Sequence, residues 1–138
     1  MTRAEREQFL ADPHVAVLSV ERPDGPPLIS PVWYGYEPGG DVRLSTNDQT
    51  VKAGLLRAAG RASLCAQSES LPYAYVTVEG AIAFGEITQA ERLQLAVRYL
   101  GEELGQQYVE STADVDNVLV TLTPQRWRTT DYAKMSPT

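Results

Sequence analysis

The chain has 138 residues and a hydrophobic fraction of 43%, which allows one packed domain and leaves no room for a second full core. Its formal net charge is −6 and no basic cluster stands out, so we expect no nucleic-acid partner. One cysteine, Cys65, and one histidine, His14, exclude an internal disulfide, a thiolate-rich metal site and a histidine cluster for a metal.

The amino-terminal residues and the hydropathy pattern predict the cellular compartment of the protein. No apolar run is long enough to cross a membrane, and the first ten residues are charged and amphipathic. We therefore expect a cytoplasmic protein without a membrane partner. Cys65 lies in an apolar run and is expected to be a buried structural thiol, and His14 is expected to be structural too.

The first third of the chain predicts a helix and an antiparallel meander. A short helix is expected at 2–11, because Thr2 and Glu5 have the spacing of a capping box. Proline- and glycine-rich turns at 22–27 and 37–40 separate the segments that follow. Three strands are predicted, at 14–20, 28–36 and 41–46.

The middle of the chain predicts a helix between strands. The helix is expected at 49–59, with Gly60 in the left-handed position that commonly follows a helix. A fourth strand at 61–67 and a polar loop at 68–72 lead to a long fifth strand. That strand spans 73–87 and contains Gly80, which indicates a bulge or a bend at a barrel corner.

A second capping-box pair, Thr88 and Glu91, begins a helix that two glycines, Gly101 and Gly105, are expected to end. The remaining predictions are a loop at 106–114, strands at 117–123 and 127–132 with a bulge or edge position at Pro124, and a flexible tail at 133–138. Six or seven short strands with few helices predict a mainly β antiparallel barrel, built as a single domain over residues 1–138.

The stretch Leu44 to Lys52 carries the clearest functional signal. It is expected to contain a strand end, a hydroxyl-rich turn and the first turn of a helix. Backbone N–H groups at a helix start, together with hydroxyls and a lysine, suit a phosphate group. The alternative is purely structural, with Asp48 or Thr46 capping the helix.

Five stretches in order carry a family resemblance: 13–18, 30–34, 44–46 with Lys52 and Leu55, 61–64, and 76–80. Together they resemble the pyridoxamine-phosphate-oxidase-like flavin and deazaflavin reductases, nearest to the branch that uses the deazaflavin coenzyme F-420. The resemblance implies an FMN-binding split β-barrel with two or three flanking helices. It also implies a homodimer that holds its cofactors at the subunit interface.

By this resemblance, two groups of residues contact the cofactor. The residues expected to hold its phosphate are Ser45, Thr46, Thr50, Val51 and Lys52. Those expected beside the tricyclic ring are Ser30, Pro31, Val32 and Trp33. Strand position alone adds further wall residues, from one or the other subunit: Gln67, Tyr75 and Trp127.

The sequence departs from the family pattern after the lysine. Relatives often carry an arginine and an asparagine there, where this chain reads Ala-Gly-Leu at 53–55. Loss of a charge-assisted hydrogen bond to phosphate costs about 1.5–3 kcal/mol. The candidates to supply the missing cation are Arg57, Arg61 and Arg126.

Three functions follow from the resemblance. The first is an F-420-dependent oxidoreductase that transfers hydride between the cofactor and a small unsaturated or quinone-like substrate. The second is an FMN-binding oxidoreductase of the same fold, and the third is a dimer that binds such a cofactor without catalysis. The cofactor carries the reactive atom in such enzymes, so no catalytic residue and no metal are predicted, and water or Tyr75 can supply a proton.

Overall fold

A computed structural model describes residues 1–134. Its helices are α1 (Arg3–Ala11), α2 (Val51–Ala59), α3 (Gln89–Leu100) and α4 (Glu102–Ser111). Its strands are β1 (Ala16–Arg22), β2 (Gly25–Val32), β3 (Val42–Asn47), β4 (Arg61–Gln67), β5 (Ala74–Glu86), β6 (Asn117–Leu122) and β7 (Arg126–Asp131). A 3-10 turn, Tyr132–Lys134, ends the described chain.

All strand pairs are antiparallel, and their order is β2-β1-β4-β5-β6-β3, with β7 also on β5. The 13-residue strand β5 organises the barrel, because it changes partners along its length. Its first half pairs with β4 on one side and β7 on the other, whereas its second half pairs with β6. The mainly β fold predicted from the sequence is confirmed.

The partner change on β5 happens at Gly80. A Cβ atom at this position would lie 1.8 Å from the carbonyl oxygen of Thr123, so only glycine allows the two backbones to approach. Glu79 and Ile82 are three positions apart on β5, but their partners Arg126 and Leu122 are four positions apart. The extra residue lies beside Pro124, so the predicted corner and bulge both occur here.

The interior of the barrel is one continuous apolar core. Alternate residues of β1, β4 and β5 point inward, among them Leu18, Leu64 and Val78, and each is at most 1% exposed. Helix α1 covers one end through Leu10, whose carbonyl accepts a hydrogen bond of 2.7 Å from the buried hydroxyl of Tyr34. Burial raises the pKa of that Tyr34 hydroxyl, so it stays a neutral donor.

Helices α3 and α4 form a hairpin beside the barrel. Gly101, with a φ of +84°, separates them, and a Cβ at Gly105 would lie 2.9 Å from the backbone nitrogen of Val97. The predicted loop at 106–114 is therefore wrong, because most of that segment belongs to α4. The described chain has four α-helices where two or three were expected.

The second strand differs from its prediction. Strand β2 begins at Gly25, and residues 33–36 lie beyond its end, where only Gly35 bridges to Arg43. Two prolines, Pro26 and Pro27, indicated a turn, but β2 is an edge strand in which a missing N–H is tolerated. The hairpin turn consists of residues 23 and 24 alone.

The predictions for the one histidine and the one cysteine of the chain have different outcomes. His14 stacks on Phe9, with ring centroids 4.4 Å apart, and its Nε2 lies 3.0 Å from the Phe9 carbonyl oxygen, so the structural role predicted for it is confirmed. Cys65 is only partly buried and lies on the outer face of β4, which contradicts the buried thiol that was expected. Of the tail predicted to be flexible, residues 135–138 lie outside the described residues.

Candidate functional site

A cavity of about 540 Å³ opens between the end of β2, the junction of β3 with α2, and the α3–α4 hairpin. Its size lies within the range of about 300–1,000 Å³ typical of small-molecule sites. The residues that line it are Val15, Pro31, Val32, Trp33, Ser45, Thr46, Asn47, Thr50, Lys52, Arg92, Leu95, Ala96, Tyr108, Thr112, Val115 and Asn117.

The β3–α2 junction supplies the polar end of this cavity. Thr50 caps α2, because its hydroxyl accepts a hydrogen bond of 3.2 Å from the Ala53 N–H and donates one of 2.7 Å to the Asn47 carbonyl. Neither Asp48 nor Thr46 is the cap, so the structural alternative from the sequence named the wrong residues. Asp48 instead binds Arg57 through two oxygens, at 2.8 and 2.9 Å.

Lys52 lies in the first turn of α2 and lines the cavity. Burial lowers the pKa of its ammonium, and no neighbouring charge opposes that shift. No acidic residue occupies the first turn of this helix. A half-buried cation therefore sits at the positive end of a helix, an arrangement that an anionic group in the cavity would stabilise.

The opposite wall of the cavity is apolar and aromatic. Trp33 stacks on Tyr99 with ring centroids 5.2 Å apart and an interplanar angle of 7°, and it meets Tyr108 at 5.3 Å. The Tyr99 hydroxyl donates to the His14 carbonyl at 2.7 Å and accepts from the Tyr34 N–H at 3.1 Å. These bonds hold Tyr99 in place, and the indole stacked on it offers a flat surface against which a planar ring can lie.

The three arginines expected to supply a second cation are engaged elsewhere. Arg57 binds Asp48 and stacks over Phe84, Arg61 binds Glu21 at 2.6 Å, and Arg126 lies 3.5 Å from Glu79. None of the three lines the cavity. The second cation in its wall is Arg92 of α3, which the sequence analysis did not single out.

Seven predicted site residues meet in the cavity wall: Pro31, Val32, Trp33, Ser45, Thr46, Thr50 and Lys52. Two others flank it. Ser30 precedes Pro31 on the inner face of β2, where it pairs with Leu18, and Val51 is 73% exposed at the start of α2.

The other three predicted residues lie away from this cavity. Gln67 and Tyr75 are cross-strand partners on the outer face of the sheet. Trp127 lies on the inner face, opposite the buried Val78 on β5, and packs edge-on against Tyr36 with centroids 6.2 Å apart. One subunit therefore does not bring these side chains to its own cavity.

Most of the cavity residues that the sequence analysis missed come from α3, α4 and the residues after α4. They are Arg92, Leu95, Ala96, Tyr108, Thr112, Val115 and Asn117. The apolar stripe of α3 indicated packing, but nothing in the sequence showed which side of the hairpin would face Trp33. Within residues 1–134 no cluster of acidic, histidine or cysteine side chains could hold a metal ion, and no helix is long and apolar enough to span a membrane.

Comparison with known proteins identifies the family. Residues 2–131 match the family model described as pyridoxamine 5'-phosphate oxidase. The chain belongs to the pyridoxamine 5'-phosphate oxidase family, and the resemblance stated from the sequence is confirmed. Its split barrel is the flavin-binding fold of that family. A comparison with curated proteins gave no match.

Solved structures share this fold along most of the chain. A conserved hypothetical protein of Mycobacterium tuberculosis is 25% identical with a TM-score of 0.80, over 100% of this chain and 92% of that one. A structure described as an F420 reductase is 22% identical with a TM-score of 0.72, over 88% of this chain and 94% of the other. A FAD-binding protein of Mesorhizobium loti is 16% identical with a TM-score of 0.67, over 94% and 92% of the two chains.

Proposed function

We propose that this protein is an F-420-dependent oxidoreductase that transfers hydride between the deazaflavin and a small unsaturated or quinone-like substrate. The observation that carries the proposal is the cavity itself. It joins a stacked indole, Trp33, to a polar end where Lys52 lies at the start of α2. A cofactor with a planar ring and a phosphate, joined by a polyol chain, matches these two ends: the ring lies on the indole and the phosphate lies near Lys52.

The family and the solved structures support the cofactor class. One neighbour is described as an F420 reductase and another as a FAD-binding protein. When bound, a deazaflavin supplies the hydride-carrying atom of its central ring. FMN is the alternative cofactor, because it presents the same ring shape and a phosphate at the same end.

The residues of this chain then serve to bind, orient and exclude water. Lys52 holds the phosphate, while Ser45 and Thr46 offer hydroxyls from β3 at the same end of the cavity. Pro31 and Trp33 form the flat wall that sets the ring orientation. Leu95 and Ala96 of α3, both at most 9% exposed, close the far side and keep water from it.

Assembly into a homodimer is the second part of the proposal. Exposed apolar side chains lie on the outer face of the sheet, with Val17 39% and Ile29 62% exposed, and directly before β1, with Val15 55% exposed. Val15 also lines the cavity, so this face continues into its rim. A partner docked there would bring its own outer-face Gln67 and Tyr75 toward the cavity, where Tyr75 or water would supply the proton.

Titration of the cofactor-free protein with oxidised F-420 and with FMN tests the function. Binding is followed by quenching of tryptophan fluorescence, and turnover by oxidation of reduced F-420 in the presence of a quinone acceptor. We expect saturable binding of F-420 and its oxidation by the acceptor. Preferential FMN binding would favour the flavin enzyme, whereas saturable binding without turnover would favour a cofactor-binding dimer.

Two variants separate the parts of the proposal. Lys52→Ala should weaken F-420 binding at least several-fold, and an unchanged affinity would remove the phosphate assignment.

Val17→Asp places a charge on the outer face of the sheet and should convert a dimer into a monomer in sedimentation experiments. A wild-type protein that sediments as a monomer would overturn the dimer and leave the cavity assignment standing.

A further inference from the structure

Arg92 is the second positive charge in the wall of the cavity. It comes from α3, to which the sequence assigned no site residue. It lies in the first half of α3, whereas Lys52 lies in α2. Both line the same cavity, together with the neutral polar side chains of Asn47, Thr50 and Asn117. Two chain segments far apart in sequence thus direct cations into one space.

The contacts of Arg92 hold it in place without neutralising it. Its Nη2 donates to the carbonyl of Thr112, at 3.4 Å, and to the hydroxyl of the same residue. That hydroxyl gives its own proton to the Tyr108 carbonyl at 2.8 Å, so it can only accept from the arginine. Thr112 caps the carboxyl end of α4, where exposed carbonyls favour a cation.

Within the described residues, no carboxylate lies within ion-pair distance of Arg92, whereas six other cationic side chains are paired. Asp116 shares a shallow depression with Arg92, but its carboxylate accepts from Gln49 Nε2 at 3.0 Å. In a chain of net charge −6, a partly buried arginine and a partly buried lysine facing one cavity without carboxylates indicate an anionic ligand.

We propose that Arg92 binds the phosphate of the cofactor together with Lys52, and that it replaces the cation missing from positions 53–55. This inference rests on the proposed function and assigns one more residue to its site. A guanidinium carries five N–H donors, and Thr112 engages only Nη2, so donors remain for a phosphate oxygen. Thr112 is the positioning residue that keeps the guanidinium at the cavity.

The test compares ligands with and without a phosphate. Wild type, Arg92→Gln, Arg92→Lys and Arg3→Gln are titrated with FMN and riboflavin, and with F-420 and its dephosphorylated chromophore. Arg3→Gln makes the same charge change on α1, where the side chain is 79% exposed. We expect Arg92→Gln to weaken binding of the phosphorylated ligands at least tenfold and binding of the others less than twofold. Arg92→Lys should recover part of the loss, and Arg3→Gln should match wild type.

Three outcomes would overturn the inference. Equal weakening of phosphorylated and unphosphorylated ligands would mean that Arg92 only holds α4 in place, and the thermal midpoint of Arg92→Gln would fall with it. Unchanged binding of FMN and F-420 by Arg92→Gln would remove Arg92 from the site and leave the proposed function intact. Failure of wild type to bind either phosphorylated ligand would overturn the function and this inference together.

Discussion

The starts of helices α2 and α3 share a cap and differ in the charge that follows it. Thr50 accepts from the N–H of Ala53 at 3.2 Å, and Thr88 accepts from the N–H of Glu91 at 3.1 Å. After Thr88, Glu91 places a carboxylate in the first turn, which also binds Arg43 at 2.7 Å. After Thr50 the first turn has no carboxylate and carries Lys52.

This difference separates a helix start that stabilises the fold from one that can serve a ligand. A carboxylate in the first turn contributes about 0.3–1 kcal/mol through the helix dipole, and a cation there opposes the dipole by a similar amount. Helices α1, α3 and α4 all have acidic first turns. A threonine cap alone therefore does not indicate a ligand site. A lysine that faces a cavity at the positive end of a helix does indicate a site for an anionic group.

The largest expected effect comes from reversing the charge at α2. Lys52→Glu should lower affinity for FMN or F-420 by about a hundredfold, because one charge-assisted hydrogen bond of about 1.5–3 kcal/mol is replaced by repulsion. The same change should raise the free energy of unfolding by about 0.3–1 kcal/mol, because the new carboxylate complements the dipole. Titration and urea denaturation of one preparation measure both quantities.

The matched control is the opposite reversal at α3. Glu91→Lys removes the pair with Arg43 and puts a cation at a helix start outside the cavity. It should lower the free energy of unfolding by about 1 kcal/mol and leave cofactor affinity unchanged. If both variants lose affinity equally, the distinction between the two helix starts fails.

The second effect is a pH dependence that only α2 should show. Burial lowers the pKa of Lys52 in the free protein, and a bound phosphate favours the charged form and raises that pKa again. Affinity for the cofactor is therefore highest below the lowered pKa of Lys52. It decreases as the pH rises through that pKa, and the total decrease is about tenfold. The free energy of unfolding of the free protein, relative to Lys52→Gln, should increase over the same range, because the unfolded chain binds the extra proton.

Lys52→Gln is also the reference for the binding measurement. Its affinity for the cofactor should lack this alkaline decrease, and riboflavin should show none with either protein. A decrease of equal size in Lys52→Gln would assign the titration to another group.

The third comparison removes the caps themselves. Thr88→Ala and Thr50→Ala should each lower the free energy of unfolding by about 1 kcal/mol, because each leaves an amide at a helix start without its acceptor. Only Thr50→Ala should also weaken cofactor binding, since Thr50 alone lines the cavity. Equal binding by both alanine variants would show that the Thr50 hydroxyl serves the helix alone.

The sequence predicted the α2 end of the site because the information there is local. A strand end, a hydroxyl-rich turn, a lysine and a helix follow one another within nine residues, from Leu44 to Lys52. Hydrophobic periodicity then placed the neighbouring strands, so Pro31 to Trp33 could be assigned to the same region by resemblance. Seven of the predicted residues meet in the cavity for this reason.

The α4 side was missed because it depends on tertiary packing. Helix α4 contains Gly105 and several polar residues, which weakens its helical pattern. It is stable in the fold because α4 packs closely on α3, where a Cβ on Gly105 would lie 2.9 Å from Val97. Arg92 enters the site only through this hairpin, since Thr112 at the end of α4 holds its guanidinium.

Trp127 shows how one inserted residue changes the face of a sheet on which later side chains lie. Along β6, Val120 and Leu122 point into the core, and unbroken alternation would turn position 127 outward. The extra residue beside Pro124 reverses the alternation, so Trp127 faces Tyr36 inside. The bulge was predictable from proline, but its effect on the later residues needed the pairing register.

The smallest expected effect belongs to α1, where the capping box is complete and lies at the surface. Thr2 accepts from the Glu5 N–H at 3.1 Å, the Glu5 carboxylate accepts from the Thr2 N–H at 2.9 Å, and Lys134 lies 2.6 Å from that carboxylate. These contacts, led by the Lys134 hydrogen bond, lower the pKa of Glu5 from 4.5 to about 2. Glu5 thus stabilises the fold above its ordinary pKa, and this contribution disappears as pH falls through about 2. In urea denaturation, Glu5→Gln should be slightly less stable than wild type at pH 7 and equal to it near pH 2. Its cofactor affinity at neutral pH should be unchanged. A difference in stability that persists in acid would assign the effect to packing.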